Sequence, residues 1–195
     1  MTTTLTPRIT LVRHTSVDVE PGICYGQTDV GLRASFPEEA AATRAVLRRI
    51  AADTGSDFDA VFRSPLSRCR RLADACGYPD AVPDSRLLEL DFGEWEMRRY
   101  DDIRDPRLQE WYSDWLHVAP TGGESFMDQQ RRVRDFLEAA RRSGRRHTLV
   151  FTHAGVIMNA LLLTRQADLR TLFSRQPAYG EAISLILPAS LASAQ

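Results

Sequence analysis

The sequence predicts an α/β protein with a three-layer α/β/α fold, in which a largely parallel sheet is flanked by helices and carries a small helical cap. Three observations support this class. Short apolar stretches rich in β-branched residues alternate with longer segments of helical periodicity, as in parallel β-α-β units. The chain has 195 residues, a length that suits one domain spanning 1–195. Its 43% hydrophobic and 26% charged residues are ordinary for a globular protein.

The first half of the chain begins with a strand and then alternates. Residues 8–13 (RITLVR) form a short apolar run and predict the first strand. Residues 37–52 predict a helix, because Pro37 and two acidic residues open the segment and basic residues follow toward its end, as the helix dipole favours. Residues 57–63 (DFDAVFR) predict the second strand.

A second helix is predicted directly after this strand, over residues 64–77 (SPLSRCRRLADACG). Ser64 suits the N-cap, Pro65 the first helical position and Gly77 the C-cap, so the sequence carries signals for both ends. These signals place the residues that follow Pro65 in the first turn of a helix.

The second half of the chain repeats the alternation after an irregular excursion. Residues 90–120, rich in Trp, Asp and Arg, have weak periodicity and predict a cap of short helices. Helical patterns cover 124–143 and 154–164, and strands are predicted at 147–152 (HTLVFT) and 182–187 (AISLIL). The helix at 154–164 follows its strand almost without a loop.

Composition excludes several classes of function. The net charge of −1 argues against general nucleic-acid binding, which needs a cationic surface. No stretch approaches the roughly 18 apolar residues of a membrane span. The first residues lack the pattern of a secretory signal, so we expect a cytoplasmic protein. Three cysteines without C-x-x-C spacing predict reduced thiols and no zinc site. The sequence does not fix the oligomeric state, and a homodimer is one possibility.

Polar residues follow the predicted strands where each strand ends. Arg13 and His14 come at the end of the first strand, Arg68 lies just beyond the second, and His153 follows the strand at 147–152. Ligands of parallel sheets bind beyond the carboxyl ends of the strands, so we expect these four side chains to share one site. Two guanidiniums and a histidine donor suit phosphate oxygens, and the expected partner is therefore a small phosphorylated metabolite.

The same residues suggest a covalent reaction. A neutral imidazole at His14 can attack phosphorus and become a phosphohistidine. Glu89, which follows a short apolar run at 86–88, can protonate the departing alkoxide and then deprotonate the attacking water. No cluster of His, Cys and carboxylates in the sequence has metal-ligand spacing, so we expect neither a metal ion nor another cofactor.

Five segments, in order, resemble signatures of the histidine phosphatase, or phosphoglycerate mutase-like, superfamily. LVRHT resembles its R-H-G signature, SPLSRCRRLA its S-x-L-x-R-A helix start, and LLELDFGEWE its L-x-E-x-x-x-G-x-W-E segment. TGGES resembles P-G-G-E-S, and FTHAGVI resembles S-H-G-G-V-I. Within the family, R-H-T followed by C-Y-G-x-T-D-V-x-L is most similar to the α-ribazole phosphatase branch, which acts on α-ribazole 5'-phosphate in cobalamin biosynthesis.

The resemblance implies a metal-independent phosphomonoesterase. It makes His14 the phosphoryl acceptor and Glu89 the proton donor, and it assigns the phosphate clamp to three residues, Arg13, Arg68 and His153. The alternatives are a phosphoglycerate mutase, a broad-specificity sugar or nucleotide phosphatase, and a catalytically silent protein that binds a phosphorylated ligand.

The chain departs from the family pattern at three places. Thr15 and Met97 stand where the family usually has Gly, and no Asn occurs between His14 and Gly26 to contact phosphate. Gln27 and Thr28 are the expected substitutes for that Asn. Four of the aromatic side chains of the cap are Trp95, Trp111, Tyr112 and Trp115. They either stack on a substrate base or form the core of the cap, and we favour the core.

Overall fold

A computed structural model describes residues 6–55 and 57–192. The two ends of the predicted domain, residues 1–5 and 193–195, lie outside the described residues. The described part contains a five-stranded sheet of spatial order β3-β2-β4-β1-β5. Its strands are β1 (Arg8–Arg13), β2 (Ala60–Arg63), β3 (Val82–Pro83), β4 (His147–Thr152) and β5 (Ala182–Ile186).

The sheet is largely parallel, as predicted. β4 pairs in parallel with β1 and β2, β2 pairs in parallel with β3, and only β5 runs antiparallel, beside β1. The edge strand β3 was not predicted from the sequence. It has only two residues, and one of them is Pro83, a residue that sheets tolerate mainly at their edges.

Five α-helices and four short 3-10 helices accompany the described strands. The α-helices are α1 (Phe36–Thr54), α2 (Ser67–Cys76), α3 (Arg107–Ser113), α4 (Phe126–Arg142) and α5 (Ala154–Leu163). The 3-10 helices are Ser85–Leu87, Gly93–Trp95, Tyr100–Asp102 and Phe173–Arg175. Four α-helices match the predicted segments within three residues at each end, and the fifth, α3, lies inside the segment 90–120.

The predicted N-cap of α2 is wrong. The helix begins at Ser67 with Leu66 as its N-cap, so Ser64 and Pro65 form the connection from β2. The Ser64 hydroxyl instead lies 2.8 Å from Nε2 of His153, a contact between neighbouring strand ends that local sequence rules cannot anticipate. Arg68 is nevertheless in the first turn of the helix, as expected.

Two hydrophobic clusters, one on each face of the sheet, produce the three layers. β4 is buried along its whole length, and its side chains alternate between the faces. Leu149 and Phe151 pack against α1 and α2, whereas Val150 packs against α4 and α5. Burial of each such side chain contributes roughly 1.5–3 kcal/mol, which fixes the level of the β4 carboxyl end relative to its neighbours.

The segment 90–120 has its own small core. Trp95 is only 1% exposed and packs with Cys24, Ile103 and Leu108, and its Nε1 donates to Asp105 Oδ2 at 2.8 Å. This packing confirms the core interpretation for Trp95. None of the helices within 6–55 and 57–192 is both long and apolar enough to cross a membrane.

Candidate active site

The carboxyl ends of adjacent strands bring the two predicted histidines together. β1 and β4 pair with Arg13 opposite Thr152, so His14 and His153 leave the sheet at the same level. Their ring centroids are 5.2 Å apart, with an edge-to-face arrangement of 63°. The register of the parallel strands therefore accounts for the convergence expected from the sequence.

His14 is held as a neutral imidazole with a defined tautomer. Its ring is buried, and Nδ1 lies 2.7 Å from the carbonyl oxygen of Thr15. Because a carbonyl can only accept, Nδ1 carries the proton and Nε2 keeps its lone pair. Burial, followed by the positive charge of Arg68, lowers the pKa of His14 to about 3. The side chain is thus an uncharged nitrogen base at neutral pH.

Two arginines near His14 each carry a buried N–H group without a partner among the described residues. Arg68 is fully buried and donates from Nη1 to Thr28 O at 2.9 Å and from Nη2 to Gly26 O at 2.5 Å. Arg13 donates from Nη1 to Pro177 O at 2.7 Å. The Nε atoms of both arginines are buried without a partner among the described residues. Buried donors of this kind suit an anion.

His153 is also buried and neutral. Burial, with a further effect of Arg68, holds its pKa well below the usual range for histidine. Nε2 lies 2.8 Å from Ser64 Oγ and 3.6 Å from Cys69 Sγ. Since Cys69 Sγ donates to Thr152 O at 3.4 Å, the strongest polar contact of the imidazole is with Ser64.

Glu89 follows the 3-10 helix Ser85–Leu87 and has both carboxylate oxygens held by donors. Oε1 accepts from Leu90 N at 2.9 Å and from Gln129 Nε2 at 3.1 Å, while Oε2 accepts from Gly155 N at 3.3 Å. Glu89 and His14 line the same cavity. An acid and a nucleophile candidate therefore share one chamber.

The structure engages Gln27 and Thr28 with protein groups. Gln27 Nε2 donates to Glu89 O at 3.1 Å, and the Thr28 hydroxyl donates to Glu96. Burial raises the pKa of Glu96, but hydrogen bonds from Thr28, Gln27 and Phe92 outweigh that effect and lower it. Neither Gln27 nor Thr28 lines the cavity. Their role as substitutes for the missing Asn stays a prediction.

The cavity has a volume of about 380 Å³, and seven of its seventeen lining residues are Phe, Tyr or Trp. Among residues 6–55 and 57–192, Arg13 is the only cationic residue that lines it. Trp111 and Trp115 contribute to the wall, whereas Tyr112 is 54% exposed and does not. The remaining aromatic wall residues are Tyr25, Phe92, Tyr100, Phe126 and Phe173. A larger cavity of about 560 Å³ beside α5 contains none of the predicted site residues.

Several residues near the site were missed by sequence reasoning. Tyr179 lies under Arg13, whose guanidinium carbon is 3.9 Å from the ring centroid, and its hydroxyl is 2.9 Å from that of Tyr25. Gln129 lies within α4, and Phe173 comes from a 3-10 helix far from any motif. Only Tyr25 carried a signal, because it belongs to the C-Y-G segment.

Comparison with known proteins identifies the family. The profile of the histidine phosphatase superfamily (branch 1) matches residues 9–186. The chain is 32% identical over 169 residues to the adenosylcobalamin/alpha-ribazole phosphatase of Escherichia coli, covering 81% of this chain and 78% of the relative.

Solved structures show the same fold. The alpha-ribazole phosphatase of Shigella flexneri superposes with a TM-score of 0.81 at 23% identity, covering 95% of this chain and 94% of the other. A structure described as phosphoglycerate mutase from Thermus thermophilus superposes with a TM-score of 0.73 at 27% identity, covering 95% and 96%. This chain belongs to branch 1 of the histidine phosphatase superfamily, and it is a phosphatase.

Proposed function

We propose that this phosphatase hydrolyses a phosphomonoester with a flat aromatic group, specifically α-ribazole 5'-phosphate, through a phosphohistidine at His14 and without a metal ion. One observation carries the proposal. A neutral His14 with its Nε2 lone pair free lies beside buried, unpaired arginine N–H groups, in a chamber that also holds Glu89. That arrangement supplies a nucleophile, an anion clamp and an acid.

In the first step, His14 Nε2 attacks phosphorus and the bond between phosphorus and the substrate alkoxide breaks. Glu89 gives its proton to the departing oxygen, so that a neutral alcohol leaves. Arg13, Arg68 and His153 donate hydrogen bonds to the phosphoryl oxygens as charge redistributes. The hydrogen bond from Nδ1 to Thr15 O stabilises the positive charge that develops on the imidazole.

In the second step, water attacks the phosphohistidine and passes its proton to the Glu89 carboxylate. The bond between phosphorus and Nε2 breaks, inorganic phosphate is released, and His14 returns to its neutral state. Glu89 ends protonated, as it began, so the cycle closes without a co-reactant.

The cavity walls support an aromatic and uncharged leaving group. A glycerate substrate carries a second anion, and in this cavity the second anion would face aromatic rings and Glu89, with Arg13 already serving the phosphate. The name of the Escherichia coli relative agrees with this preference. The proposal treats residues 1–195 as one domain with 90–120 as its cap, while the cytoplasmic location stays a prediction.

A hydrolysis screen tests the substrate. α-Ribazole 5'-phosphate should give the highest kcat/KM in a panel that includes sugar phosphates, nucleotides and 3-phosphoglycerate. Trp111→Ala should lower kcat/KM for the aromatic substrate by about tenfold, since a stacking contact contributes on the order of 1–3 kcal/mol. Tyr112→Ala is the matched control outside the cavity. Transfer of label between the two phosphoglycerate positions would favour a mutase, and absence of any hydrolysis would favour a binding protein.

A trapping experiment tests the intermediate. Brief reaction with ³²P-labelled substrate followed by quenching in neutral SDS, which spares the acid-labile P–N bond, should label His14 in the wild type, and His14→Ala should abolish both labelling and turnover. Label recovered on a serine, aspartate or cysteine would contradict the mechanism.

The role of Glu89 is tested through the leaving group. Glu89→Gln should slow alkyl phosphates by about 10² to 10⁴, the usual contribution of general acid catalysis. p-Nitrophenyl phosphate needs no proton on its leaving oxygen, so the variant should release a burst of nitrophenol and then turn over slowly. Asp91→Asn is the control, and a larger defect there would show that the wrong carboxylate has been chosen.

A further inference from the structure

Two buried amide side chains stand behind Glu89. Gln129 on α4 and Asn159 on α5 are both 0% exposed. Asn159 Nδ2 donates to Gln129 Oε1 at 3.1 Å, and Gln129 Nε2 donates to Glu89 Oε1 at 3.1 Å. The three side chains therefore form a directed chain of hydrogen bonds from α5, through α4, to the carboxylate.

The direction of this chain is fixed at its far end. Asn159 Nδ2 also donates to Gly155 O at 3.2 Å, and a backbone carbonyl can only accept. Asn159 must therefore present its NH₂ group to Gln129, and Gln129 must present its carbonyl to Asn159 and its NH₂ to Glu89. A flip of either amide would set two acceptors against each other in a buried place.

The hydrogen bonds distinguish the two oxygens of Glu89. Oε1 accepts from Leu90 N at 2.9 Å and from Gln129 Nε2 at 3.1 Å. Among the described residues, Oε2 accepts only from Gly155 N, at the longer distance of 3.3 Å. An oxygen with two donors is poorly placed to carry a proton, and the other oxygen has the open lone pair.

We propose that Gln129, oriented by Asn159, is a positioning residue that fixes the Glu89 carboxyl so that Oε2 is the oxygen that exchanges the catalytic proton. This inference rests on the proposed role of Glu89 as proton donor. Gln129 does not touch the reacting atoms through this bond. It acts by holding Oε1, so that the carboxyl group cannot rotate and its Oε2 edge faces the leaving oxygen.

Two variants test the chain of hydrogen bonds. Gln129→Met removes the donor to Glu89 at nearly constant volume. Asn159→Asp keeps the shape of Asn159 but replaces its NH₂ by an acceptor, so Gln129 should flip and turn its carbonyl toward Glu89. Asn159 does not line the cavity, and Asn159→Asp should therefore leave KM almost unchanged.

The expected result is a loss of kcat that depends on the leaving group. Both variants should lose about 10²-fold in kcat on an alkyl phosphate, the usual effect of misplacing a catalytic group by about 1 Å. The nitrophenol burst with p-nitrophenyl phosphate should keep its rate, because that leaving group needs no proton. Labelling of His14 after quenching in neutral SDS should also persist.

The control is Gln130→Met, the neighbouring buried glutamine on α4, which lines the other cavity and not the one that holds Glu89. It should leave kcat on both substrates unchanged. If Asn159→Asp fails to fold because it buries a charge, Gln129→Met carries the test.

Two outcomes for the Gln129 and Asn159 variants would overturn the inference. Unchanged kcat on the alkyl phosphate would show that Glu89 needs no such support, and equal losses on both substrates would indicate a general disturbance of the site.

Glu89→Gln, measured in parallel, separates the two proposals. If that variant shows no dependence on the leaving group, the proposed role of Glu89 fails and the inference falls with it; if it does show the dependence and Gln129→Met does not, only the inference is wrong.

Discussion

Gly155 sits where no other residue should fit without moving the candidate acid. A Cβ atom at this position would lie 2.4 Å from Glu89 Oε1 and 2.7 Å from Gln129 Oε1. Ordinary contact begins at 3.4 Å, so Gly155→Ala must displace the carboxyl group by about 1 Å. A displacement of about 1 Å typically costs about 10²-fold in rate, and we expect kcat on alkyl phosphates to fall by this factor.

The assay for Gly155→Ala is steady-state hydrolysis of an alkyl phosphate, together with the burst phase of p-nitrophenyl phosphate. The burst rate should change far less than the alkyl kcat, because the nucleophile His14 is not displaced. Gly31→Ala is the matched control, since a Cβ there would meet only Asp18 Cβ, at 3.9 Å. An alkyl kcat within twofold of the wild type, in a folded variant, would refute the reasoning.

Three further predictions concern strain, acid and metal. Met97 has a left-handed φ of 63° and is 50% exposed. Met97→Val places a β-branched residue there and should lower the free energy of unfolding by about 1 kcal/mol, whereas Met97→Gly should not lower it. Urea denaturation measures both effects. His14 and His153 have lower pKa values in the folded protein than in the unfolded chain. As pH falls, the unfolded chain therefore takes up protons on these histidines at a higher pH than the folded protein does. Stability should be full above pH 6.5 and fall by up to about 1.4 kcal/mol per pH unit per histidine as pH drops toward 5, and His14→Asn should flatten this slope in urea titrations. Incubation with EDTA should leave hydrolysis unchanged, because arginines neutralise the phosphate charge; lost activity that Mg²⁺ or Zn²⁺ restores would contradict this.

The sequence predicted the parts of the fold that depend on periodicity and on end signals. The runs at 8–13 and 147–152 are strands in the structure with the same bounds. Because parallel strands end at one edge, the meeting of His14 with His153 followed from their positions alone. The segment 90–120 was recognised by its lack of periodicity, but nothing local specifies which of its aromatic side chains line a cavity.

The residues that escaped prediction act over long sequence distances. Ser64 has every property of an N-cap, and its contact with His153 exists only because β2 and β4 are neighbours in the sheet. Gln129 and Asn159 look like ordinary polar positions of two helices, and their alignment with Glu89 depends on how α4 packs against α5. Tyr179 lies on the loop that leads into the antiparallel strand β5, and its ring contacts the Arg13 guanidinium. None of these pairings leaves a trace in local composition.

The buried thiols have a consequence for oxidative stress. Cys24, Cys69 and Cys76 are free and buried, and burial raises the pKa of each to about 12. Peroxides attack the thiolate form, and at neutral pH these sulfurs are almost entirely protonated and shielded from solvent. Phosphatases that use a cysteine thiolate as nucleophile are switched off by such oxidants. A phosphatase that relies on an imidazole, with the Cys69 thiol buried against His153, would not be inactivated through thiol oxidation in a cell under peroxide exposure.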